Sequence, residues 1–184
     1  MKKTPTPRPA NTGPDLREQV LSDFSNLRVP LRPEQLDAAL ARAARDGLAH
    51  LEFLRVLIGE QAQQRRERSI AHRLREAHFR DQPTLADFDW HFNAGAIDRA
   101  QIETLAAADF IRQRQNLVLV GQSGVGKSHL IQAIGQSACV LGYRVRYTTS
   151  AGVLEDLTAS LADQTLPRRL RYWANFDLVI LDQC

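Results

Sequence analysis

Apolar positions are almost absent from the first residues and then recur in two different rhythms. Residues 1–14 hold four of the eight prolines, which predicts a solvated, disordered tail. From Leu16 to about Arg80 the apolar positions return at helical spacing. Leu36, Leu40, Ala43 and Ala44 mark one helix, and Gly47 closes it at a C′ position. Leu51, Leu54, Leu57 and Ile58 share one side of a second helix that runs into an arginine-rich segment. Thr84-Leu-Ala-Asp87 has the form of a capping box, with Asp where Glu or Gln is usual. A further helix is expected from about Asp98 to Ala108.

At Asn116 the rhythm changes. Asn116-Leu-Val-Leu-Val120 is a short apolar run followed at once by Gly, which predicts a buried strand ending in a tight turn. Ser128 to Leu141 reads as a helix stopped by Gly142. Arg144-Val-Arg-Tyr-Thr148 alternates, as a strand near a sheet edge does. A helix is expected from about Ala151 to Leu161, and Pro167 suits the first position of another. Leu178-Val-Ile-Leu181 predicts a second buried strand. Strands alternating with helices mean an α/β fold with a parallel sheet. The expected organisation is a helical module over 15–83 and an α/β domain over 84–184. No internal repeat is visible.

Composition removes several classes. With 184 residues, 43% hydrophobic and 24% charged, the chain can bury a core, so disorder throughout is excluded. The longest apolar runs are strand-length, far from the ~20 residues a bilayer-spanning helix needs. No leader pattern opens the sequence, which sets the expected compartment as the cytoplasm. Cys139 and Cys184 lack disulfide-framework and metal spacing and read as reduced thiols. The formal net charge is +3, and of 24 Lys and Arg only Lys2, Lys3 and Lys127 are lysine. One internal lysine in an arginine-using chain draws notice.

That lysine lies in Gly121-Gln122-Ser123-Gly124-Val125-Gly126-Lys127-Ser128, which fits G-x-x-x-x-G-K-[ST] at every fixed position. The glycines let successive N–H groups turn inward on phosphates, Lys127 reaches the β- and γ-phosphates, and Ser128 ligates Mg²⁺. The following helix adds its N-terminal dipole to the same anion, with His129 beside it. Arg does not replace a compact ammonium in such a loop. An apolar strand ending in Asp should follow, and Leu178-Val-Ile-Leu-Asp182 supplies it. Asp182 would hold the Mg²⁺ opposite Ser128. Lys127 and Asp182 are therefore the candidate catalytic residues, and ATP and Mg²⁺ the expected cofactors. Gln183 stands next, where P-loop ATPases of this kind carry a second acid; glutamine can orient a water but cannot take its proton.

Residues 61–80 carry Arg65, Arg66, Arg68, Arg73, Arg75 and Arg80 against Glu67 and Glu76, a balance of +4. On a helical wheel the arginines cover one half, and Ile70, Leu74 and Ala77 form a narrow stripe opposite. Such a face suits the phosphates of duplex DNA, or it is simply a solvated face. The stripe lacks the aromatic and leucine content of a membrane-surface helix. His50, His72, His78 and His91 show no metal spacing. Phe88, Trp90 and Phe92 alternate along the chain, either as packing or as the wall of an adenine pocket.

With those residues placed, the chain resembles the IstB-like ATP-binding proteins, AAA+ helpers of insertion-sequence transposition. The resemblance covers roughly residues 27 to 182. It rests on Leu51-Glu-Phe-Leu54, Gln64-Arg-Arg-Glu-Arg68 through Arg73-Leu-Arg75 to Phe79, and Thr84-Leu-Ala-Asp-Phe-Asp89. It continues through Gly121 to His129, Gly142-Tyr-Arg-Val-Arg146 with Thr148-Thr149, and Asp177 to Asp182. It implies ATP-dependent oligomerisation on DNA and delivery of target DNA to a transposase. It also implies further strands, polar sensors and an arginine finger after Asp182, one of those strands inserting between the phosphate-loop strand and the Asp182 strand. The sequence is therefore expected to be a remnant truncated after the Asp182 strand, defective in hydrolysis. A DnaC-type helicase loader and a non-catalytic DNA-binding remnant remain as alternatives.

Overall fold

The computed structural model describes residues 15–91, 95 and 97–183. The expected tail 1–14, Phe92 and Cys184 lie outside the described residues. Contacts divide the chain into two compact units, Met1–Arg66 and Glu67–Cys184.

The first unit is helical. Helix α1 (Leu16–Asn26) is capped by Asp15, and α2 (Pro33–Asp46) opens on proline and closes at Gly47, whose N–H returns to the Ala43 carbonyl. Helix α3 begins at His50. Leu36, Ala39 and Leu57 form the core, with Val20, Phe24 and Phe53 packed around it. Arg17 grips Asp37 with two hydrogen bonds, Nε to Oδ1 at 2.8 Å and Nη2 to Oδ2 at 2.6 Å, joining α1 to α2. Of the apolar positions expected to share the buried faces, Leu36 and Leu57 are buried. Leu40, Leu51, Leu54 and Ile58 are exposed, Leu51 by 80%. Apolar residues at helical spacing mark two adjacent rows, and packing chose the row through Phe53 and Leu57.

The second unit holds the end of α3, which stops at Ala77, then α4 (Arg99–Ala106), α5 (Asp109–Arg112), α6 (Lys127–Leu141), β1 (Val145–Thr149), α7 (Ser150–Ala162), α8 (Leu166–Ala174) and β2 (Leu178–Asp182). Strands β1 and β2 pair in parallel, in register from Val145 opposite Leu178 to Thr149 opposite Asp182. Helix α6 packs on both strands. It can approach closely because residue 135 is glycine: a β-carbon there would meet Ile180 Cδ1 at 2.6 Å. Val145, Tyr147, Ile180, Ala138 and Cys139 fill the core between them. A second cluster of Ile102, Phe110, Leu130 and Ile134 joins α4 and α5 to the other part of α6. Burial pushes the Cys139 thiol up to about 11.

Three expectations change here. Residues 116–120 form no strand. Leu117 and Leu119 are half-buried while Val118 and Val120 are 77% and 90% exposed, so the segment alternates like a strand. No ladder partner lies beside it among the described residues, and an extended segment without partners is not a strand. Strand β2 is buried only at Ile180; Val179 and Leu181 are exposed. Thr84–Asp87 forms its box without a helix, the Thr84 N–H and hydroxyl both donating to Asp87 Oδ2 and closing a turn. The unit division falls inside α3, and Leu74, Ala77 and Phe79 belong to the core of the second unit. No helix among the described residues is long and apolar enough to cross a membrane.

Candidate nucleotide site

The loop from Gly121 to Gly126 connects the extended 116–120 segment to α6. Gly124 and Gly126 take φ of 81° and 91°, left-handed values that side-chain-bearing residues rarely adopt. The turn they permit delivers the chain into α6 at Lys127. Gly126 is the N-cap, so the helix starts without a side-chain cap and without an acidic residue in its first turn. The partial positive charge of that helix end remains available to an anion. Lys127 Nζ donates to the carbonyl oxygens of Gly121 at 2.8 Å and Gln122 at 2.6 Å. The ammonium is thus folded back over its own loop, positioned by the main chain it would share with phosphates. Ser128 occupies the second helical position and His129 the third; His129 Nε2 lies 3.0 Å from the Thr84 carbonyl.

Asp182 ends β2, opposite Thr149 in the register. The Tyr147 hydroxyl donates to its Oδ2 at 2.7 Å. Ligands of parallel sheets gather beyond the carboxyl ends of the strands, where Asp182 stands. Sequence reading missed Tyr147. The residue was legible as strand, but only the observed register places it on the same face as Asp182. Exposed Gln183 follows directly. The Ser128 hydroxyl and the Asp182 carboxylate are hard oxygen donors, the class of ligand that Mg²⁺ prefers. Among the described residues no group of three or more His, Cys, Asp or Glu is placed to hold a metal.

The arginines divide. Arg65, Arg66, Arg68 and Arg75 are exposed on α3. Arg73 is half-buried and committed: its Nε donates to the Cys139 carbonyl at 2.8 Å and its Nη1 to Ser69 Oγ at 2.7 Å. Arg80 is off the helix, because α3 ends at Ala77 and His78 turns the chain with φ of 55°. The Arg80 and Asp81 N–H groups both donate to the buried Gln132 side chain of α6. The wheel was right about the stripe, since Leu74 and Ala77 pack into the core, but it carried the helix too far.

Phe88 packs against Gly126 of the loop, and Trp90 packs on Phe88 with ring centroids 4.9 Å apart. A groove of about 340 Å³ between α4 and α6 is lined by small and apolar residues such as Leu85, Ala106, Ala133 and Val140, with no titratable side chain.

A family model described as IstB-like ATP binding protein matches residues 23–184. A Mycobacterium tuberculosis protein named for ATP binding in an insertion sequence is 34% identical over 149 residues, 81% of this chain and 59% of its own. A similarly named IS21 protein of Pseudomonas aeruginosa is 30% identical over 160 residues, 87% of this chain and 60% of its own. An IS1162 protein of Pseudomonas fluorescens is 30% identical over 168 residues, 91% and 72%. The chain spans about three-fifths of the length of the first two relatives.

Proposed function

Because the chain belongs to the IstB-like ATP-binding protein family, we propose that it binds Mg²⁺ and ATP at the Gly121–Ser128 loop and acts as a DNA-binding helper of insertion-sequence transposition. The observation that carries the reading is the loop itself: two left-handed glycines opening onto a helix with no side-chain cap, and Lys127 held over the turn. The loop N–H groups and Lys127 would hold the phosphates, with His129 in the same first turn. Ser128 and Asp182 would hold Mg²⁺, which when bound neutralises phosphate charge. Tyr147 keeps the Asp182 carboxylate at the end of its strand.

Duplex DNA is the second proposed ligand. Exposed Arg65, Arg66, Arg68 and Arg75 supply sequence-independent charge to its phosphates. A transposase is the proposed protein partner, and assembly of several copies on DNA the proposed working state; the relatives' insertion-sequence names support that setting. Gln183 beside Asp182 argues for nucleotide binding with little turnover, since no carboxylate at that position can accept a proton from water. The test is duplex binding measured with and without Mg·ATP. Tighter DNA binding with nucleotide in the wild-type chain, lost in Lys127→Ala, is expected. DNA binding indifferent to nucleotide in both chains would separate the two activities and defeat the helper reading.

A further inference from the structure

Phe88 comes from the irregular Thr84–Trp90 segment, yet its ring sits against the phosphate loop. A β-carbon built on Gly126 would lie 2.7 Å from Phe88 Cε2 and 3.1 Å from Cζ. The same ring meets His129 edge-on, centroids 5.2 Å apart at 68°, and Trp90 at 4.9 Å and 66°. Phe88 therefore bears on residues 126 and 129, the two that bracket Lys127 and Ser128. The segment carrying it is itself tied down. Thr84 is closed onto Asp87, whose carboxyl those hydrogen bonds hold below the usual carboxylate range. The Thr84 carbonyl meets His129 Nε2 at 3.0 Å, and the Arg99 guanidinium lies 5.2 Å from the Trp90 ring.

We infer that Phe88 is a positioning residue for the phosphate loop, its ring fixing Gly126 and His129 so that Lys127 and Ser128 stand ready for the phosphates of a nucleotide. The inference rests on the nucleotide reading of the loop and adds a second reason for glycine at position 126. The backbone needs it at φ of 91°, and Phe88 leaves no room for a β-carbon. Glycine is the most permissive backbone residue. Without the ring, the helix entry samples conformations that misplace the lysine and serine, and affinity falls through lost pre-organisation.

The experiment titrates a fluorescent ATP analogue with Mg²⁺ into the full chain and into Phe88→Ala, Phe88→Leu, Gly126→Ala and the Phe88→Ala/Gly126→Ala double variant. Thermal unfolding without nucleotide is followed in parallel. Phe88→Ala is expected to raise Kd by about tenfold, whereas Phe88→Leu, which keeps bulk against Gly126, stays within about threefold. Gly126→Ala should cost less affinity in the Phe88→Ala background than in wild type, because the clash has gone. If the Phe88→Ala chain does not fold, the same cycle with Phe88→Val reads the coupling. Wild-type affinity in Phe88→Ala, or penalties that simply multiply, would overturn the inference while leaving the nucleotide site standing. A wild-type chain that binds no nucleotide would bring down the site and the inference together.

Discussion

Tyr147 donates its hydroxyl hydrogen to Asp182 across 2.7 Å, linking the two parallel strands through the residue that ends β2. Tyr147 is 8% exposed, so the bond is shielded from water on the tyrosine side. Replacing it with phenylalanine keeps the ring and removes only the bond. Tyr147→Phe is expected to lower stability by about 1–2 kcal/mol in urea unfolding. It should also raise the Mg²⁺ concentration needed for half-maximal binding of an ATP analogue. Unchanged Mg²⁺ dependence would show that Asp182 does not rely on Tyr147 for its position.

The arginines of α3 should separate into two behaviours. Arg68→Gln and Arg75→Gln are expected to weaken duplex DNA binding and to reduce the salt slope by about 1 each. Arg73→Gln should leave that slope unchanged and lower stability instead, by about 1–3 kcal/mol, because its guanidinium holds the Cys139 carbonyl. Anisotropy titrations over a salt series, with unfolding curves beside them, distinguish the two. Equal loss of DNA binding in all three variants would contradict the division.

Much of this was legible in the sequence because the determinants are local. The loop spacing, Gly47 and Gly142 as helix ends, the helix beginning near Asp98 and the Asp182 strand all follow from neighbours within a few residues. What failed to show depends on distant partners. The 116–120 run has the composition of a buried strand, but strand formation needs a neighbour, and local pattern carries no information about one. Arg73 and Arg75 both fall in the arginine half of the wheel, and only the distant Cys139 carbonyl of α6 sets Arg73 apart. Phe88 stood out only as one of an alternating aromatic trio, and nothing local told that its ring fills the space beside Gly126, 38 positions later.

Acid should loosen the α7–α8 pair. Arg169 Nε and Trp173 Nε1 both donate to Asp156, and the Arg169 hydrogen bond above all holds its carboxyl below the ordinary carboxylate range. A depressed folded value means the contribution is complete above the unfolded value of about 4 and is lost as pH falls through the lower folded one. Asp156→Asn is therefore expected to melt earlier than wild type at neutral pH, with the gap closing below about pH 4. A gap that stays constant on acidification would mean the carboxylate's charge contributes nothing.

The central claim is that the Gly121–Ser128 loop binds nucleotide phosphates through Lys127, and equilibrium titration of a fluorescent ATP analogue into wild type and Lys127→Ala tests it most directly. Wild type should bind with Mg²⁺-dependent saturation. Lys127→Ala should lose at least about a hundredfold in affinity, as expected when a charged group is removed from a charge-assisted contact, while keeping the unliganded melting temperature. Equal affinity in the two chains would contradict the claim.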